Sequence, residues 1–583
     1  MSRPQEIREF SSHDGTRLHY RHWPTTSTPR GAIVLMHRGH EHSGRMAHLV
    51  EEIDLPDMAV FAYDARGHGH SPGERGDGKS IGTLVGDLEH FVRHLATAHG
   101  IERSDIVVVA QSVGAVIAAT WAHDFAPKLR GLVLASPAFK VKLYVPFARS
   151  GLALMRRLRG NFFVTSYVKA KFLTHDPARI ASYESDPLIT RPISVDVLLG
   201  LYAAAERVVA DAAAITTPVQ LLISGSDWVV QHRPQHDFYA RLGSSRKEKI
   251  VFDGFFHDTL GERDRAPAVA AARRFIAGLF DDPAPAVDLR NADRQGFTAE
   301  ESAVLAKPLP WYTPRGLYWA FTRASLKLGG LLSRGIALGH RTGFDSGSTL
   351  DYVYRNEARG LPLLGTLVDR IYLESIGWRG IRQRKRHVEA LLREAMAQVR
   401  ARRLPVRLMD IAAGHGRYVL DAVLASETRP DSILLRDYSE INVRDGRALI
   451  DRRGLGAIAR FDQADAFDRE DLARVKPQPT VVVVSGLYEL FGDNGMVSRS
   501  LAGIADAMPE GGCLVYTGQP WHPQLELIAR ALTSHRQGQA WVMRRRTQAE
   551  MDQLVEAAGF RKIGQCIDEW GIFTVSLAVR AAR

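Results

Sequence analysis

Three residues far apart in the chain, Ser112, Asp227 and His257, could together perform acyl transfer. A serine hydroxyl is a poor nucleophile until a base takes its proton and a third group orients that base. Ser112 stands in Ala110-Gln111-Ser112-Val113-Gly114, directly after the apolar run Ile106-Val107-Val108-Val109. A nucleophile on a sharp strand-to-helix turn needs small neighbours, and Ala110 and Gly114 supply them. Asp227 follows the run Val219–Ser224, and His257 follows Lys249–Phe252. Each therefore falls at the carboxyl end of an expected strand, in the order nucleophile, acid, base. Asp253, Asp258, His232 and His236 are rival positions of lower rank. Two backbone N–H groups must face the developing oxyanion. Val113, next to the nucleophile, offers one. Gly39, in His37-Arg38-Gly39-His40-Glu41-His42-Ser43-Gly44-Arg45, offers the other.

A second set lies far downstream. Asp410-Ile411-Ala412-Ala413-Gly414-His415-Gly416 follows a short apolar strand and precedes a helix, Arg417 to Leu424. Glycines there let the backbone approach a nucleotide ligand closely. Asp437 closes the next strand, 27 residues after Asp410, where a carboxylate can hold both ribose hydroxyls. Asp465 follows the third strand and is placed to bind an adenine amino group. Two ligands compete for this loop, S-adenosylmethionine and NAD. NAD binding prefers a small residue at position 419, and Val419 is bulky and β-branched, so the methyl donor is favoured. The acceptor side is poorly marked; Tyr488, Glu489 and His522 are its candidates, with structural roles equally open.

Both sets require alternating strands and helices to position them. Apolar runs at Ala32–Met36, Ala59–Tyr63, Ile106–Ala110, Leu132–Ala135, Val219–Ser224 and Lys249–Phe252 are separated by helical patterns such as Ile81–His99 and Ala266–Phe280. That rhythm predicts a mostly parallel sheet covered by helices. It breaks into a basic, helical insertion between Ser136 and Ile215. Asp281-Asp282-Pro283-Ala284-Pro285 has linker chemistry. Leu350–Arg403 is helical in pattern. A second alternation follows, at Arg407–Ile411, Ser432–Arg436, Ala457–Phe461, Thr480–Val484 and Cys513–Thr517, and ends in two strands near Arg561–Ile567 and Phe573–Val579.

The chain has 583 residues, 45% of them hydrophobic and 24% charged, so two or three globular domains are expected. Two cysteines, Cys513 and Cys566, make no disulfide framework and fit a reducing compartment. The first residues contain no apolar signal segment. The longest apolar stretch, Leu317–Leu338, is interrupted by Arg323, Lys327 and Arg334, so no membrane span is predicted. The net charge of +11 is uneven: residues 138–175 carry eight Lys or Arg and no Asp or Glu. A second basic cluster is Arg379–Arg386. Solvated helix faces explain such runs as readily as attraction to anionic headgroups. No zinc-finger spacing or stacking platform points to nucleic acid, and no metal site is evident.

The oxyanion loop resembles the His-Gly-x-Gly-Glu-His-Ser-Gly-Arg stretch of the monoacylglycerol lipase and lysophospholipase group of α/β-hydrolases. Asp64-Ala65-Arg66-Gly67-His68-Gly69-His70-Ser71 is similar to that group's Asp-x-Arg-Gly-x-Gly-x-Ser loop. The resemblance covers roughly residues 5 to 280 and implies a cap after the strand ending at Ala135. Arg38 replaces a usual glycine, Ala110 the first elbow glycine, and Gln111 a common histidine. Residues from about 345 onward resemble class I S-adenosylmethionine methyltransferases. Ala557-Ala558-Gly559-Phe560 and the following strands match that fold's end. More narrowly, they resemble a bacterial family of methyltransferase-like domains fused to hydrolases. The positions carried over are Asp410, Gly414, Gly416, Asp437 and Asp465; Ala412 stands where many relatives have glycine.

The expected architecture is α/β throughout: an α/β-hydrolase fold over 1–280 with a cap at about 137–215, a linker or amphipathic region over 281–345, and a Rossmann-like methyltransferase fold over 346–583. The expected function is a bifunctional enzyme, a serine ester hydrolase for lipid-like acyl compounds joined to an S-adenosyl-L-methionine-dependent methyltransferase. It is expected to be cytoplasmic, with peripheral contact to an anionic membrane. Two alternatives stay open: a methyltransferase whose hydrolase half only binds substrate, and a membrane-surface scaffold with both sites inactive.

Overall fold

The computed structural model describes residues 3–582 except Leu143, Tyr144, Pro146, Tyr167 and Gln537. It divides into two compact units, Met1–Val287 and Asp288–Arg583.

Among the described residues the first unit is built on an eight-stranded sheet. Its strands are β1 (Glu6–Ser11), β2 (Arg17–Trp23), β3 (Gly31–Met36), β4 (Met58–Tyr63), β5 (Ile106–Gln111), β6 (Gly131–Ala135), β9 (Val219–Ser224) and β10 (Lys247–Phe252); β7 (Phe163–Thr165) and β8 (Pro192–Ser194) form a separate hairpin. The order is β1-β2-β4-β3-β5-β6-β9-β10, with β3 to β10 parallel and β1 and β2 antiparallel at one edge. The run Ile-Val-Val-Val-Ala-Gln of β5 is buried throughout, as a central parallel strand covered on both faces must be. Edge strand β10 instead alternates half-buried and exposed residues, and Lys247, Glu248 and Lys249 keep that edge charged. The helix Ile81–His99 begins where Ser80 accepts the Thr83 N–H and ends at left-handed Gly100. Between β6 and β9 the sheet is interrupted by the β7–β8 hairpin and the helices Ala148–Arg159, Pro177–Ser185 and Val195–Ala210.

The second unit has a seven-stranded sheet among the described residues: β11 (Arg407–Asp410), β12 (Ser432–Asp437), β13 (Ala459–Gln463), β14 (Val481–Val484), β15 (Cys513–Gly518), β16 (Phe560–Ile567) and β17 (Thr574–Arg580), in the order β13-β12-β11-β14-β15-β17-β16. Strands β11 to β15 are parallel; β17 runs antiparallel to β15 and pairs with β16. The helix Ile376–Ala401 buries Val388, Leu391, Leu392, Ala395, Met396 and Val399 against one face of this sheet, at the three-to-four spacing of a helical stripe.

The stretch 281–345, expected as a linker or amphipathic region, is largely helical, and from Asp288 onward it belongs to the second unit. It contains the helices Phe297–Ala306, Pro314–Leu332 and Arg334–Thr342. The physical reason is burial: Leu305 packs with Leu525, Ile528 and Met543, and Ile336 with Phe344, Trp378 and Ile381. Residues 283–296 and 307–313 carry no helix or strand. The apolar run Leu317–Leu338 breaks at Ser333, whose hydroxyl accepts the Ile336 N–H and starts the next helix. Among the described residues no helix is long and apolar enough to cross a membrane.

Asp369 ties this helical layer together. Its fully buried carboxylate accepts from the Gly335 and Arg359 N–H groups, both at 2.8 Å, and from the Ser333 and Tyr352 hydroxyls. Four donors thus share one anion, and each of the three buried ones would cost about 1–3 kcal/mol if left unpaired. Asp369→Ala is expected to destabilise the layer by at least about 3 kcal/mol. Hydrogen exchange should quicken across 333–373 and stay unchanged in β5. Unaltered exchange in that layer would contradict this role.

Candidate functional sites

Ser112 sits at the turn between β5 and the helix Val113–Phe125, with φ 54° and ψ −114°. Positive φ is strained for a residue with a side chain, and the surroundings must enforce it. The Ser112 N–H donates to the Ala135 carbonyl at 2.9 Å, and its carbonyl accepts from Val116 and Ala138. Gly114 must be glycine here, because a Cβ would lie 2.6 Å from the His37 carbonyl oxygen.

The three predicted residues meet. His257 Nε2 lies 2.7 Å from Ser112 Oγ, and His257 Nδ1 lies 2.7 Å from Asp227 Oδ2. The other Asp227 oxygen accepts the Val229 and Val230 N–H groups at 2.7 and 3.0 Å. Burial opposes ionisation of Asp227, but His257 and these two donors outweigh it and hold its pKa below the usual value. Asp227 therefore orients the ring so that Nε2 faces the hydroxyl, the arrangement that lets a serine lose its proton. Gly39 and Val113 approach each other: a Cβ on Gly39 would lie 3.1 Å from Val113 Cγ2. No acceptor among the described residues takes either N–H group. An apolar pocket of about 50 Å³ adjoins them, lined also by Ile117, Ile193 and Val197.

The oxyanion loop is held from below. Asp64 accepts the Ser43 N–H at 2.7 Å and the His70 N–H at 2.8 Å, which joins the two motif loops. Arg66 forks onto Asp87 and Asp14 with contacts of 2.6–2.8 Å.

Asp258, ranked as a rival acid, does not touch His257 through its carboxylate. It is the hub of a buried network instead. Gln111 Nε2 donates to it at 2.7 Å, and Arg38 and Arg179 stand 3.3 and 3.0 Å away. Arg38 also donates to Glu41 at 2.7 Å, and Glu41 accepts from Arg45 at 2.6 Å. Burial would raise the Asp258 pKa, but Arg38, Arg179 and Gln111 hold it well below the carboxylate range. The two departures from the lipase motifs, Arg38 and Gln111, thus converge on one carboxylate. It follows His257 directly, so the network braces the nucleophile turn, the oxyanion loop and the histidine loop together. Sequence reasoning missed this convergence; the paired departures were its only signal. Asp253, His232 and His236 make no contact with Ser112 among the described residues.

In the second unit Gly414 and Gly416 are both left-handed, with φ 57° and 72°. A Cβ on Gly416 would lie 2.4 Å from Leu435 Cδ1. The Gly414 N–H donates to Asp437 Oδ2 at 2.9 Å, while Asp437 Oδ1 accepts from Ser439 and Asn442. Burial raises the Asp437 pKa above its ordinary value. Gly414, Gly416, Asp437 and Asp465 line one cavity of about 740 Å³, along with Gly347, Tyr438, Phe467 and Gly486. That volume lies within the ~300–1,000 Å³ range of ligand sites. Asp465 is exposed there and accepts the Phe467 N–H at 2.8 Å.

Asp410 departs from expectation. It lies fully buried beneath the loop and is absent from the cavity wall. Its carboxylate accepts from the Tyr418 hydroxyl and the Ala412 N–H, and burial pushes its pKa up to about 7. It supports the glycine loop and does not face a ligand. Of the acceptor-side candidates, Glu489 and His522 line a second, adjoining cavity, while the Tyr488 hydroxyl is buried and donates to Ser500 at 2.9 Å. Gly347 and Tyr438 had no motif to announce them. Among the described residues no cluster of His, Cys, Asp and Glu could hold a metal ion.

The buried network makes a counterintuitive prediction. Arg38→Gly restores the residue usual in the lipase motif, yet it leaves Asp258 and Glu41 short of a cation. Breaking a buried ion pair costs about 3–5 kcal/mol, so this variant should lower the unfolding midpoint of the first unit markedly. An unchanged midpoint would contradict the bracing role.

Comparison with known proteins separates the two halves in the same way. The family described as "Serine aminopeptidase, S33" matches residues 27–264, and the family described as "Putative methyltransferase" matches residues 272–580. Over 573 residues, 98% of each chain, the protein is 56% identical to the uncharacterized protein YnbC of Escherichia coli K12. Over 263 residues it is 25% identical to the monoacylglycerol lipase of Mycolicibacterium smegmatis, which spans 44% of this chain and 91% of that one. The crystal structure of Paleococcus ferrophilus monoacylglycerol lipase aligns with a TM-score of 0.42 at 24% identity, over 45% of this chain and 99% of that one. The chain is thus a fusion of an α/β-hydrolase half and a methyltransferase-family half, and it belongs to the family described as "Putative methyltransferase".

Proposed function

We propose that the first unit is a serine ester hydrolase acting on lipid-like acyl esters. The observation that carries this is the chain of two 2.7 Å contacts from Asp227 through His257 to Ser112. Ser112 Oγ attacks the ester carbonyl as His257 Nε2 takes its proton. The carbonyl oxygen, now negative, receives the N–H groups of Gly39 and Val113. His257 then protonates the departing alcohol. A water molecule, activated by the same histidine, releases the acid from Ser112. The apolar pocket beside Gly39 and Val113 favours an acyl group, and the relatives named as monoacylglycerol lipases favour a glyceride-like ester. The cap helix Ala148–Arg159 buries none of its residues, and Phe147, Leu154 and Leu158 are exposed. With its basic side chains it supports peripheral contact with an anionic membrane on the cytoplasmic side. Arg149 and Arg156 are already paired with Glu206 and Asp196, so charge alone is the weaker half of that argument. Pro146, within the expected contact segment Val145–Met155, lies outside the described residues.

For the second unit the reading is an S-adenosylmethionine-dependent methyltransferase. Its residues fit that donor: two left-handed glycines leave backbone open to the cavity, and a carboxylate at the end of β12 faces it. When bound, S-adenosylmethionine supplies an electrophilic methyl group. Asp437 would hold its ribose hydroxyls, Gly414 and Gly416 would admit it to the loop, and Asp465 would meet the adenine.

Two experiments test these readings. Ser112→Ala should abolish hydrolysis of short p-nitrophenyl esters, a loss on the order of 10⁴-fold or more, with methyl-donor binding intact. Undiminished esterase activity would remove Ser112 from the mechanism. Asp437→Ala should weaken S-adenosylmethionine binding by about 1–3 kcal/mol in calorimetry. A wild-type chain that binds NAD and not S-adenosylmethionine would overturn the second reading.

A further inference from the structure

A second cavity of about 340 Å³ adjoins the glycine-loop cavity in the same unit, and Asp345, Leu350, Gly486 and Leu490 line both. Most of its wall is apolar, including Leu326, Ile336, Trp378, Ile381, Leu532 and Phe573. Polar groups gather where it borders strands β14 and β15. The Gly486 N–H donates to Thr517 Oγ1 at 2.8 Å, and the Thr517 hydroxyl donates to Glu489 Oε1 at 2.6 Å. Glu489 Oε2, Arg384 Nε and Gln519 Nε2 are buried and meet no hydrogen-bond partner among the described residues. Buried polar atoms are nearly always satisfied in a folded protein. Arg384 Nη1 also stands 3.5 Å from Glu489 Oε1, and the three residues that carry these unsatisfied atoms line the polar side of an apolar cavity, which points to a ligand with a polar head and an apolar body.

The opposite side of the cavity leads outward. Ile371 lines it and is 66% exposed. Beside it Leu363, Leu364 and Leu367 are exposed, and on the neighbouring helix Pro314–Leu332 so are Leu317, Phe321, Leu328 and Leu331. Spacings of four, seven and three residues put these last four on one helical face. That helix is apolar both inward, through Leu326, and outward, unlike an ordinary surface helix. Residues 302–344 carry six Lys or Arg and no Asp or Glu. An apolar face in a purely basic segment is complementary to an anionic lipid surface.

We propose that this cavity holds the hydrocarbon chain of the methyl acceptor, a single-chain amphiphile taken from an anionic membrane surface on which the helices Pro314–Leu332 and Leu364–Leu373 rest. The inference rests on the methyltransferase reading of this unit for the word acceptor; the binding site itself rests on the cavity. The polar head would lie against Glu489, Arg384 and Gln519, next to the glycine-loop cavity. The chain would run toward Ile371.

The test uses the full-length protein and cis-parinaric acid, a fluorescent fatty acid. The wild type should bind it saturably with one site in this unit. Leu326→Trp, which fills the cavity, should weaken that binding at least tenfold while S-adenosylmethionine binding is unchanged. Thr322→Trp, at the half-buried rim, is the milder filling variant should Leu326→Trp not fold. In sedimentation with phosphatidylglycerol vesicles, the triple variant Phe321→Glu/Leu331→Glu/Leu363→Glu should lose at least tenfold relative to wild type. Phosphatidylcholine vesicles should bind both proteins weakly. Absent probe binding, or equal binding by the filled variants, overturns the cavity assignment. Equal binding of wild type and triple variant to the anionic vesicles overturns the docking face and leaves the cap as the contact. Probe binding without S-adenosylmethionine binding would fault the methyltransferase reading while leaving the amphiphile site in place.

Discussion

A left-handed residue at the carboxyl end of a central parallel strand is the constraint on which both halves of this chain depend. In the first unit it is Ser112, with φ 54° at the end of β5. In the second it is the pair Gly414 and Gly416 after β11. Parallel strands need a crossover between each neighbour, and the crossovers leave their loops on one sheet edge. A sharp turn on that edge points a side chain or open backbone toward a cavity. The two units meet the strain differently. Glycine adopts such a conformation without penalty, whereas a serine there costs on the order of 1–3 kcal/mol. The surroundings of Ser112 offset that cost with hydrogen bonds to Ala135, Val116 and Ala138 and with a glycine at 114 packed on the His37 carbonyl.

The network around Asp258 extends the same logic outward. Catalytic geometry must be held to within about half an ångström, and it is held by groups that never touch substrate. Here the nucleophile turn, the oxyanion loop and the cap helix Pro177–Ser185 are tied to one carboxylate by Gln111, Arg38 and Arg179. In the second unit Asp437 is tied to the loop it serves through the Gly414 N–H, and Asp410 braces that loop from beneath. The helical layer over residues 297–373 adds walls that a bare sheet-and-helix fold would lack, and Asp369 locks part of it.

Much of this was legible in the sequence. Continuous apolar runs announce buried parallel strands, and the helices Ile81–His99 and Arg417–Leu424 have the bounds their patterns predict. Ser112, Asp227 and His257 were recoverable because each must follow a strand in a set order. What escaped was information carried by packing. Strand β1 is a mostly exposed edge strand, and its neighbour β2 mixes Arg and His with apolar residues, so both lack the apolar run that marks the centre. The segment 281–345 was expected only as a linker or amphipathic region, because buried faces such as that of Leu305 pack against residues some two hundred positions away. Asp410 has the right position in the loop motif, yet only the fold shows that its side chain turns under the loop toward Tyr418. Asp258 was one carboxylate among several near His257; its role depends on Arg38 and Gln111, which no local pattern connects to it.

Ester hydrolysis by the first unit requires Ser112 to be an activated nucleophile in the folded chain. The most direct measurement is intact-mass spectrometry of the full-length protein after exposure to a fluorophosphonate, followed by peptide mapping. The geometry of Ser112, His257 and Asp227 predicts one adduct per chain, on the peptide that contains Ser112. No adduct, or an adduct carried by another serine, would contradict it.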